Sequence, residues 1–95
     1  MSQQPSVGRV VLAGGVPATG NNGSDVAPAV ITRAWSGGLV NVRVLCDSHD
    51  VLWWTSVPLF DTVEQFSAAQ SEWAQQMGAA AAGNQFHGVY WPPRV

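Results

Sequence analysis

Between Leu39 and Cys46 the chain alternates strictly. Val40, Val42, Val44 and Cys46 fall on one side, and Asn41 and Arg43 fall on the other. Successive side chains of an extended strand point to opposite faces, so this segment reads as a strand with one face in a core. After Pro58 the period changes. From Asp61 the apolar residues are Val63, Phe66, Trp73 and Met77, whose spacing lines one stripe of a helix. A chain that alternates first and turns helical late is a β domain carrying one helix.

The flanking segments agree. Val7 to Ala13 and Ala27 to Trp35 are short β-rich runs, separated by a Gly- and Asn-rich loop over 14–25. Ser36-Gly37-Gly38 joins the second run to the third, as Gly-Gly does in hairpins. Asp47 to Asp50 forms the next turn, and Val51 to Val57 is a fourth strand that Pro58 ends. A helix is predicted over about 61–77, opened by a capping box of Asp61 and Glu64. It frays through Ala79 to Ala82 and stops at Gly83-Asn84. Phe86 to Trp91 is a last short strand before Pro92-Pro93. Residues 1–6 read as a flexible tail and 7–95 as one domain. Four to five antiparallel strands in meander order suggest a small closed or partly closed barrel, with the helix plugging one end or covering one face.

Closure suits the composition. Only 11% of residues are charged and none is lysine, against about 25% in a typical domain. Lysine is a common guard of open sheet edges, and a barrel has few edges to guard. The surface must be largely neutral and partly apolar, which implies self-association or a protein partner. The net charge is -2 and the four arginines, Arg9, Arg33, Arg43 and Arg94, are scattered. With no basic stripe, nucleic acid is disfavoured as a partner. No polybasic anchor and no apolar run near 20 residues points to a membrane. Met1-Ser2-Gln3-Gln4-Pro5 lacks the features of a signal peptide, which suggests synthesis inside a cell. Cys46, the single cysteine, excludes an internal disulfide.

Asp47, Ser48, His49 and Asp50 include the residue types of a hydrolytic triad. Neighbours in one turn cannot align nucleophile, base and orienter, so a solvated turn is the better reading. One histidine without a ligand cluster makes a weak metal site. Cys46 reads as a small core residue. No catalytic residue, cofactor or metal is expected, and the chain is read as a non-enzyme.

The aromatic residues carry more. Five tryptophans fall in 95 residues. Trp53 and Trp54 are adjacent in a strand and must point to opposite faces. One belongs to the core, and the other is covered by the helix or anchors an interface, where tryptophan is enriched. Trp73 lies on the helix stripe. Trp35 shares a strand face with Arg33 and Ile31 by simple parity. Trp91, beside Tyr90 and Pro92, reads as a sticky C-terminal edge. The candidate binding residues are therefore Trp35, Arg33, Arg43, Trp53, Trp54, Tyr90 and Trp91.

Several segments, in order, resemble a family of small proteins of tailed bacteriophages and prophages. They are Gly8-Arg9, the run Ala27 to Trp35, Val40-Asn41-Val42-Arg43-Val44, Trp53-Trp54-Thr55-Ser56-Val57-Pro58, and the ending Gly88-Val89-Tyr90-Trp91-Pro92-Pro93-Arg94. The ending lacks the acidic residue and the first tryptophan of the family pattern, and 61–85 looks like an insertion. The resemblance implies a viral origin and a small barrel of the Src-homology-3 type. It transfers no activity and no site residues. Together with the low charge it suggests a virion component, a capsid decoration or minor structural protein, made in the host cytoplasm. The alternative is a host-directed phage protein acting against defence. It would block a host protein or hold a small nucleotide signal between arginines and tryptophans.

Overall fold

A computed structural model of the chain describes residues 4–81 and 85–93. Five strands close a barrel in the order of the sequence: β1 (Val10–Gly14), β2 (Val26–Ala34), β3 (Leu39–Leu45), β4 (Val51–Phe60) and β5 (Gly88–Tyr90). One helix, α1 (Val63–Met77), joins β4 to β5. The fold is a small mainly β barrel of the Src-homology-3 type with an inserted helix. The pairs from β1 to β4 are antiparallel, and so is β1 with β5. The exception is β4 with β5, which run parallel. A parallel pair needs a long crossover, and α1 is that crossover.

Small β-branched and alanine side chains fill the barrel. Val11, Ala13, Ala29, Ile31, Val40, Val42, Val44 and Val89 are wholly buried. The alternation seen in β3 is therefore real: its valines face inward, while Arg43 and Leu45 are exposed. Cys46 follows the strand and packs, partly buried, against the same core.

Two bulges interrupt this regularity. Ile31 pairs with Val42 and Arg33 with Asn41, so Thr32 is an extra residue on β2. Val40 pairs with Val57 and Val42 with Trp54, so Thr55 and Ser56 together face Asn41. Ser56 takes a left-handed φ of 53° there. The first bulge corrects the expected parity of β2. Ile31 points into the core, whereas Arg33 and Trp35 point outward.

Other boundaries differ from expectation for local reasons. β1 starts at Val10 because Gly8, at φ 92°, turns the chain ahead of it. Pro58 does not end β4. It occupies the last rung opposite Leu39, and the next N–H, of Leu59, donates to the Gly38 carbonyl at 3.0 Å. The helix is capped by Thr62 rather than Asp61. Thr62 Oγ1 accepts from the Gln65 N–H at 3.2 Å, and Gln65 Oε1 accepts from the Asp61 N–H at 3.0 Å. The helix closes at Gly78, whose φ is 56°, and 78–81 continue as one 3₁₀ turn. The expected stop at Gly83-Asn84 lies outside the described residues, as does Arg94.

The helix covers a face of the barrel. Phe66 lies over the β1–β5 seam, where Gly14 and Gly88 supply a floor without side chains. Around it stand Tyr90, Phe86 and Phe60, with ring centroids at 5.4, 5.8 and 5.9 Å. Trp73 reaches Phe86 at 6.0 Å and stays half-buried. Val63 and Met77, expected on the buried stripe, are 41% and 40% exposed. The seam offers only the three residues of β5, about 10 Å, to a helix of 15 residues, about 22 Å long. No helix among the described residues is long and apolar enough to cross a membrane.

Candidate functional site

On the opposite wall the outward side chains of β2, β3 and β4 form one surface. Rungs of the sheet set its rows. Val10 pairs with Val30, Val30 with Arg43 and Arg43 with Trp53. Arg33 lies opposite Asn41, with Trp35 just past the end of β2. Trp53 is 59% exposed and Trp35 is 42% exposed. Val10, Leu45 and Val51 add exposed aliphatic groups on the same outer face.

Each arginine of this wall covers a tryptophan. The Arg33 guanidinium lies 4.2 Å from the Trp35 ring centroid, and Arg43 lies 5.5 Å from that of Trp53. The positive charge meets the negative face of the ring, an attraction worth about 0.5–1 kcal/mol at exposed sites. One face of each indole thus meets a guanidinium within the chain, while both residues stay exposed.

Asn41 organises the wall, a role beyond the face that strand parity assigns it. Its Oδ1 accepts from Trp35 Nε1–H at 2.9 Å and from the Ser56 N–H at 2.8 Å. One side chain thereby fixes the Trp35 ring and satisfies the bulged backbone of β4. A signal was available, because asparagine is disfavoured in the middle of a strand and needs a local partner. We expect Asn41→Ala to lower stability by about 1–2 kcal/mol and to free the Trp35 ring. Urea melts and tryptophan fluorescence would check this, and unchanged emission and midpoint would refute the bracing role.

The other candidates stand elsewhere. Trp54 points inward, partly buried against the core, and its ring stacks on His87 at 4.2 Å. The adjacent tryptophans do take opposite faces, and the outward one, Trp53, is not covered by the helix. Tyr90 and Trp91 are each only 4% exposed, so the expected sticky edge is absent. Both faces of β5 are covered: Tyr90 lies beneath Phe66, and Trp91 belongs to the core cluster. Arg9 stacks on Trp91 at 4.8 Å.

The 47–50 turn is a fastening. Ser48 Oγ donates to the Gly20 carbonyl at 2.6 Å and accepts from the Asp50 N–H at 3.1 Å. Its hydroxyl is engaged in holding backbone. Among the described residues no cluster of three histidine, cysteine, aspartate or glutamate side chains is poised for a metal.

The fold also shifts the titration of His87. Burial between Trp54 and the Gly15 backbone lowers its pKa, with the nearby Gly15 backbone opposing in part. Its Nδ1 is buried without a hydrogen bond. The folded state thus holds the neutral ring while the unfolded chain protonates near 6.5. Stability from this residue is present above that value and is lost as the pH falls below it. Urea midpoints between pH 7.5 and 5 should fall more steeply for the native chain than for His87→Gln. Equal slopes would refute the assignment.

No family model, no curated protein and no solved structure matches the chain.

Proposed function

We propose that the chain is a non-enzymatic binding module and that the outer wall of β2–β4 is its working surface. The observation that carries this reading is the exposed tryptophan pair, Trp35 and Trp53, each held by its own arginine. Large exposed aromatic groups paired with arginine are the features of an interface anchor. A small barrel gains stability from docking, since whatever binds only the folded state stabilises it.

The setting proposed is a bacteriophage particle, with the chain as a capsid decoration or minor structural protein. The low charge and the resemblance to small phage proteins support it. Quantitative mass spectrometry of gradient-purified particles tests it. A high, fixed ratio to the major capsid protein is expected. Absence from particles, with abundance in infected cells, would overturn the virion setting. The arginine–tryptophan wall would then be tried against host proteins and nucleotides, the host-directed alternative.

A further inference from the structure

Two arginines and the acids of α1 stand on opposite sides of the barrel. Arg33 and Arg43 stand on the outer wall of β2 and β3, and no acid shares that wall. The six acids lie elsewhere. Asp25, Asp47 and Asp50 belong to the loops at one end of the barrel, where Asn21 and Asn22 tie the two loops together. Asp61, Glu64 and Glu72 open or line α1, which carries no basic residue. Glu64 and Glu72 are exposed, separated by two turns on the side away from Phe66.

The two surfaces also face away from each other. In the closed order β1-β2-β3-β4-β5 the helix sits over the β5 seam, on Gly14 and Gly88, and β3 is on the far wall. Each surface joins a charge of one sign to neutral or apolar groups. The sheet wall offers Trp35, Trp53 and Val51, and the outer face of the helix offers Ala68, Ser71 and Gln75, all exposed. Like charges would oppose wall on wall or helix on helix, whereas wall on helix pairs opposite charges.

From this we infer that the chain assembles head to tail with copies of itself, the arginine–tryptophan wall of one copy receiving the acidic outer face of α1 of the next. A contact between two different surfaces on opposite sides does not exhaust itself in a dimer. It extends as a row or closes as a ring. The inference rests on the same wall as the proposed function and names its occupant.

The test uses the full chain with two charge-reversed variants, Arg33→Glu/Arg43→Glu and Glu64→Arg/Glu72→Arg, in analytical ultracentrifugation at low and high salt. All four sites are exposed, so folding should survive; circular dichroism checks it. The native chain should sediment as assemblies at least twice the 10.1 kDa chain mass, and salt should shift it toward monomer. Each variant alone should be monomeric, because both its surfaces then carry one sign. An equal mixture of the two should assemble again. A monomeric native chain at low salt would overturn the inference. So would assembly of Glu64→Arg/Glu72→Arg by itself, since a wall-on-wall contact would survive that change. Failure of the mixture to assemble would overturn it as well. Binding of Trp53→Ala to purified particles is read separately. Loss of particle binding by that variant, with a monomeric native chain, would sink self-assembly and leave the docking surface standing.

Discussion

Replacing Phe66 with alanine is expected to strip α1 from the barrel at a cost of about 3–5 kcal/mol, the usual penalty for emptying a buried phenylalanine site. Phe66 is 5% exposed and is the one buried side chain of α1. Its ring reaches Tyr90, Phe60 and Phe86 at once. A 15-residue helix is marginal alone, because nucleation is unfavourable and packing supplies most helical stability. Without the ring, α1 should lose its helical signal in circular dichroism at lower temperature than the barrel melts. Gly14→Ala should act in the same direction, since a methyl group there would enter the space of the Phe66 ring. A single cooperative melt with native helix content in Phe66→Ala would defeat this account.

That dependence explains which parts of the fold were legible in the sequence. The β3 alternation could be read directly, because one face of that strand is buried and the other is exposed or partly exposed along its whole length. The helix could be read as a helix, but its docking could not. Docking depends on two glycines, Gly14 and Gly88, more than seventy positions apart in the chain. No periodicity links them to Phe66.

The candidate wall was legible in part for a related reason. Arg43 and Trp53 are cross-strand partners, and strand parity alone put Arg43 on the outer face. Trp53 then had to be on that face or the core face, and only the register decides. Arg33 and Trp35 face outward because Thr32 is an extra residue, and a bulge leaves no mark in a hydrophobic pattern. Tyr90 and Trp91 form no exposed edge because adjacent residues point to opposite faces, and here both faces are covered. The sequence pattern shows apolar character and not which neighbour covers it.

The second large effect is expected at Asn21, which sits in the loop between β1 and β2 and is 2% exposed. This loop folds across one end of the barrel, with Val16 wholly buried in the core. Asn21 fastens it from both sides. Its Nδ2 donates to the Ser24 and Val26 carbonyls at 2.8 and 2.9 Å, and its Oδ1 accepts from the Asp47 N–H at 2.6 Å. Alanine would leave the Asp47 N–H and the Ser24 carbonyl without these partners, whereas the Val26 carbonyl keeps Ser24 Oγ at 3.1 Å. A stranded buried group costs about 1–3 kcal/mol, so the loss should reach about 3 kcal/mol. For a chain of this size that is a fall in Tm of roughly 15 °C. Asn21→Asp should be worse at neutral pH. A carboxylate still accepts from Asp47 but faces two carbonyl oxygens with no proton to give, in a site too buried to solvate its charge. Lowering the pH protonates that carboxyl, so the gap between Asn21→Asp and the native chain should narrow in acid. If Asn21→Asp matched the native melting temperature at neutral pH, the loop would be held by Val16 packing alone, and the hydrogen-bonded clasp would have to be abandoned.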